Sequence, residues 1–126
     1  VQWTEGGKEV DPAQWGIKQL ISLDAPGLSR KQGTIFRGGN SGYQAMNLAY
    51  LLGATRIILL GFDMMMNGKQ RHWFGDHPKG LGLASNYHNF ITYFRTIEPD
   101  EYGIEILNCS RQTALDVFPR HNLEDI

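Results

Sequence analysis

Gly38-Gly39-Asn40-Ser41-Gly42, a helical stretch closing on Leu52-Gly53, and then Arg56-Ile57-Ile58-Leu59-Leu60-Gly61-Phe62-Asp63 form the run whose reading decides the fold. It reads as a glycine turn feeding a helix N-terminus, followed by a buried strand that ends on an acid. α/β proteins build anion sites from this order of parts, because free amides at a helix start and the carboxyl end of a strand face one crevice.

Within residues 41–52 the apolar positions Ala45, Leu48, Ala49, Leu51 and Leu52 cluster at helical spacing, with Asn40 or Ser41 as N-cap. Gly53 stops the helix at the C′ position. Residues 56–61 are a nearly continuous aliphatic run, the pattern of a strand covered on both faces in a parallel sheet. Helix, glycine and strand together make half of a βαβ unit.

Upstream, residues 34–36 suit a short strand, and residues 17–23 suit an edge strand stopped by Asp24-Ala25-Pro26-Gly27. Residues 1–16 show neither helical nor alternating periodicity and are expected to be an irregular segment held by Trp3 and Trp15. Downstream, residues 64–84 form a long loop, and loops of that length in small domains are usually functional. Residues 85–97 place Tyr87, Phe90, Ile91, Phe94 and Ile97 on one helical face, with Ser85 as cap and Pro99 as stop. A strand follows over residues 102–108, then a short helix over residues 111–117 and a polar tail. There is no internal repeat and no low-complexity tract.

The 126 residues make one domain, residues 1–126, with a sheet of few strands. Twelve basic and 13 acidic residues give a net charge of −1, so nucleic acid and anionic membrane surfaces are not expected partners. No apolar run is long enough to span a bilayer, and no signal segment opens the chain, so a cytoplasmic protein is expected. The single cysteine, Cys109, excludes an internal disulfide and a thiolate zinc cluster. The first residue is Val1 rather than methionine, as in a fragment or a processed product.

Three groups of residues could carry chemistry. Around Asn40-Ser41-Gly42, glycines such as Gly39 let a ligand approach the backbone, and the helix start supplies N–H groups and partial positive charge; the plainer reading is an ordinary N-cap. Asp63, where the buried strand leaves the sheet, can bind a sugar hydroxyl or a metal ion, or cap its own loop. His72-Trp73-Phe74-Gly75-Asp76-His77-Pro78 holds two imidazoles and a carboxylate in seven residues. Either histidine can act as general base, both can join Asp63 and Asp76 at a divalent metal, or the rings can simply fasten a long loop. His88 is expected to be exposed on its helix, and His121 has no assigned role.

Asn40-Ser41-Gly42-Tyr43 through Leu52-Gly53, then Ile57 to Asp63 and Asn67-Gly68, resembles the central part of bacterial sialyltransferases of glycosyltransferase family 42. It is also similar to Rossmann-like proteins of unassigned function from bacteriophage genomes and bacterial glycan clusters, and to the archaeal hydroxymethylpterin pyrophosphokinase group. Asn108-Cys109-Ser110, Leu115 and Phe118 resemble the family's last strand and following helix. The resemblance implies a Rossmann-like α/β domain with a short, mainly parallel sheet flanked by helices, beginning after the family's first βα unit.

It further implies that Gly39, Asn40, Ser41 and Gly42 line the site of a cytidine nucleotide sugar, that Asp63 and Asn67 sit at its mouth, and that Ser110 closes it. A histidine would deprotonate the acceptor hydroxyl, with His77 ranked before His72 and then His88. The family requires no metal, so the implied set is a CMP-sugar-like donor with a glycan-like acceptor and no cofactor. Where the sialyltransferases carry tyrosines after the strand-end acid, this chain has Met65 and Arg71. Three functions follow as expectations: a nucleotide-sugar-dependent glycosyltransferase in the bacterial or phage-host cytoplasm, a non-catalytic phage assembly module that self-associates, and metal-dependent phosphoryl transfer through Asp63, Asp76 and the histidines.

Overall fold

The computed structural model describes residues 4–5, 8–9, 11–66 and 86–126. Two short strands, β1 (Thr4–Glu5) and β2 (Lys8–Glu9), pair antiparallel, and a 3₁₀ turn follows at Pro12–Trp15. The opening segment, expected to be irregular, thus contains short regular elements.

Two parallel strand pairs organise the rest. β3 (Ile21–Leu23) runs beside β4 (Thr34–Phe36) with Ile21 opposite Thr34, and all three β3 residues are exposed. β5 (Arg56–Leu59) runs beside β6 (Glu105–Asn108) with Ile57 opposite Ile106 and Leu59 opposite Asn108. Parallel strands need a crossover. Between β3 and β4 the crossover is a loop without a helix. The architecture is therefore a small mixed α/β fold of two-stranded parallel sheets flanked by helices.

Between β4 and β5 lies α1 (Ser41–Leu51). Its N-cap is Asn40, whose Oδ1 accepts from the Tyr43 amide at 2.9 Å while its Nδ2 donates to the Gly38 carbonyl at 3.0 Å. The buried face of α1 is not the one suggested by its aliphatic residues. Tyr43, Met46 and Asn47 are buried, whereas Ala45 and Leu48 are exposed and Leu52 is 79% exposed. The rotation has a polar cause. The Tyr43 hydroxyl donates to the Gly27 carbonyl at 2.5 Å, and Asn47 Oδ1 accepts from the amides of Ser29 and Phe36 at 2.9 and 2.8 Å. Asn47 Nδ2 donates to the Ser29 carbonyl, so this buried amide ties the β3–β4 crossover to the helix.

β5 also departs from expectation. Ile57 and Leu59 are buried, but Arg56 and Ile58 are exposed, so the strand is covered on one face only among the described residues. Its aliphatic run marks a strand without marking two-sided burial, because Ile58 and Leu60 stay 38% and 55% exposed.

α2 (Tyr87–Phe94) buries the expected aromatic face, with Phe94 fully inside, but its cap is Asn86 rather than Ser85, a residue outside those described. Pro99 starts a helix instead of only ending one: it is the first residue of α3 (Pro99–Tyr102), where a missing N–H costs nothing. The short helix expected over residues 111–117 does not form. Thr113 Oγ1 donates to the Phe62 carbonyl at 2.6 Å and accepts from the Leu115 amide, while Asn108 Nδ2 donates to the Leu115 carbonyl, so side chains take the bonds that a helix would use. Past this loop Arg120 forms a parallel bridge to Asn108, which leaves β6 between β5 and the C-terminal segment. The chain ends in a 3₁₀ turn at Leu123–Asp125.

The core gathers around Phe94. Its ring meets Tyr43 at 5.3 Å, Phe62 at 6.0 Å and Phe118 at 6.2 Å, each edge to face. Leu28, Met46, Ile57, Leu59, Ile97, Ile104, Ile106 and Leu115 complete the cluster. Among the described residues, no helix is long and apolar enough to cross a membrane.

Candidate functional site

The carboxyl ends of β5 and β6 open onto a crevice of about 790 Å³. Leu60, Gly61 and Asp63 enter it from β5; Cys109, Ser110 and Arg111 enter from β6; Arg120, His121 and Glu124 close it from the C-terminal segment. Ligands of parallel α/β sheets collect at such ends. The chain reverses there on Gly61, at φ +70°, and Met64 just beyond holds φ +50°, a left-handed conformation rare outside glycine.

Phe62 fastens the two walls. Its amide donates to Ser110 Oγ at 2.9 Å, and its carbonyl accepts from Thr113 Oγ1. The next residue, Asp63, is exposed, and its carbonyl accepts from the Ala114 amide at 2.7 Å. Ser110 is 3% exposed, with its amide held by Asn108 Oδ1 at 3.1 Å. The structure thus brings Asp63 and Ser110 to one crevice, as two of the predicted site residues.

The glycine turn sits differently. Gly39, Asn40, Ser41 and Gly42 are not in the walls of this crevice. Both polar groups of the Asn40 side chain are spent on the turn and the helix start. Gly38, at φ +53°, lies where a Cβ would run into the Tyr43 ring, and a Cβ on Gly42 would come within 2.7 Å of the Phe62 ring. Gly38 and Gly42 therefore make room for the rings of Tyr43 and Phe62. Ser41 is exposed.

His72, His77, Asn67, Arg71 and Asp76 lie outside the described residues. His88 is exposed on α2, as expected. Among the described residues no group of three His, Cys, Asp or Glu side chains converges as a metal site would require.

Arg111, Arg120 and His121 are among the wall residues that sequence reading missed. The available signal was that Asn108-Cys109-Ser110 ends a strand, so the residues just past it belong on the same rim as Asp63. Arg120 and His121 carry no such signal, because only the bridge to Asn108 brings them there. Asn108 donates its amide to the Pro119 carbonyl at 2.8 Å and accepts from the His121 amide at 3.2 Å.

Two tyrosines have raised pKa values, neither in this crevice. Burial raises Tyr43, and a hydrogen bond to Asp24 raises Tyr93, whose hydroxyl donates to Asp24 Oδ1 at 2.6 Å.

Fold and crevice together define a small α/β protein with a polar cleft at the carboxyl ends of parallel strands. No protein-family model, no curated protein and no solved structure matches the chain.

Proposed function

We propose that the chain is a Rossmann-like domain of the cytoplasm that binds a nucleotide sugar and passes the sugar to a hydroxyl of a glycan-like acceptor. One observation carries the reading: the carboxyl ends of parallel β5 and β6 meet at one crevice with Asp63 and Ser110 in its wall. A carboxylate there suits the hydroxyls of a ribose or sugar. The choice of a nucleotide sugar as the ligand comes from the resemblance of Asn40 to Gly68 and of Asn108 to Phe118 to glycosyltransferase family 42.

In the transfer, the acceptor oxygen bonds to the anomeric carbon as the bond from that carbon to the phosphate oxygen breaks. The nucleotide leaves with the electron pair, and the acceptor proton passes to a histidine, His77 ranked before His72. The step consumes no redox equivalent. Calorimetry of the whole chain with CMP and a CMP-sugar tests the reading. Saturable heat is expected, with binding of the CMP-sugar weakened about tenfold by Asp63→Asn, the scale of one lost bond to a charged group. No heat with any nucleotide or nucleotide sugar overturns it.

The exposed Ile58 and Leu60 favour a second reading, a non-catalytic module that pairs with another copy through the open face of β5. Sedimentation should then show a dimer that Ile58→Asp disperses. A strictly monomeric chain that turns over a nucleotide sugar removes this reading.

A further inference from the structure

We infer that Arg111 and Arg120 hold a phosphate group on the rim of the crevice. The inference rests on the crevice being the ligand site, as proposed above, and adds which side chains take the anionic part of the ligand.

Arg120 is fixed by the fold before any ligand arrives. Its backbone is bridged to Asn108 at the end of β6, and its Nη2 donates to the carbonyls of Ser110 at 2.8 Å and Arg111 at 3.2 Å. Those two bonds place the guanidinium against the backbone of Arg111. They use one of its nitrogens. The Nε and Nη1 hydrogens have no acceptor among the described residues, although a guanidinium offers five donors.

Among the described residues, neither arginine has a counter-ion. The ion pairs among the described residues are Arg56 with Glu105 and Arg95 with Asp116, while Arg111 makes none. Asp63 and Glu124 line the same crevice, but neither pairs with Arg111 or Arg120. Two guanidinium groups at a concave site, with no ion-pair partner among the described residues and one of them held by backbone carbonyls, fit a tetrahedral oxyanion. The acids remain for hydroxyls. A group with both features is a phosphate joined to a sugar.

The phosphate could come from a nucleotide or from an inorganic anion, and the test separates these sources. The whole chain is titrated with CMP, cytidine and inorganic pyrophosphate, and again as Arg111→Gln and Arg120→Lys, with a thermal melt of each variant. Arg111 is exposed and, among the described residues, bonded through its carbonyl, so Arg111→Gln should fold normally. CMP should bind at least about tenfold more tightly than cytidine, pyrophosphate should compete with CMP, and Arg111→Gln should weaken CMP about tenfold at an unchanged melting temperature.

CMP and cytidine binding equally, or CMP binding untouched by both variants, overturns the inference and leaves the nucleotide reading standing. Pyrophosphate binding that depends on Arg111, with no response to CMP or a CMP-sugar, keeps the inference and removes the nucleotide reading. No binding of any probe removes both.

Discussion

Asn47 and Asn108 are fully buried, and each works as a splint for irregular backbone. Asn47 satisfies the amides of Ser29 and Phe36, and Asn108 satisfies the Ser110 amide and the Leu115 carbonyl. Loops carry polar groups that no ladder pairs, and burying them unpaired is costly. Asn47→Ala would strand two amides and a carbonyl, so a loss of about 3 kcal/mol is expected in urea unfolding, against less than about 0.5 kcal/mol for the exposed Leu52→Ala. Tyr43 and Tyr93 give a second prediction. Both are raised above 10.0 in the folded chain, so the unfolded chain releases these protons first. Their contribution is complete below about pH 10 and is lost as pH rises through the folded values. Urea midpoints should therefore fall as pH rises above about 10, and Tyr43→Phe should flatten that fall.

At the scale of elements, the run from Gly38 to Asp63 was legible because its signals are local. A cap, a helical spacing, a stop glycine and an aliphatic strand each act over a few residues. The facing of those elements was not legible. α1 turned Ala45, Leu48 and Leu52 outward because Tyr43 and Asn47 find partners in a crossover loop that is distant in sequence. β5 kept one face open because β6 covers an edge of a strand and not its face. The helix expected over residues 111–117 lost to side-chain bonds from Asn108 and Thr113, whose partner Phe62 is 51 residues away. One element-level feature should matter little. The Arg56–Glu105 pair joins the starts of β5 and β6, with side chains 56% and 48% exposed. Glu105→Gln is expected to change stability by less than about 1 kcal/mol in urea unfolding.

Across the whole molecule, Phe94 is the point where the parts meet. It touches α1 through Tyr43, the β5 exit through Phe62 and the C-terminal segment through Phe118. Phe94→Ala should cost about 3–5 kcal/mol, measured by urea unfolding, and should disturb the crevice as well, since Phe62 holds both its walls. The candidate site has the same global character. Asp63 and Ser110 follow from a strand-end rule applied to two aliphatic runs. Arg120 reaches them only because the C-terminal segment returns beside β6.

The sequence by itself determined where the turn, helix and strand of residues 38–59 lie, since capping, periodicity and β-propensity are short-range physics. Only the tertiary structure decided which helix face is buried, that the glycines accommodate Tyr43 and Phe62, and which cations stand over the crevice. Those outcomes depend on pairing buried polar groups and packing rings across tens of residues, and a local pattern holds no record of such partners.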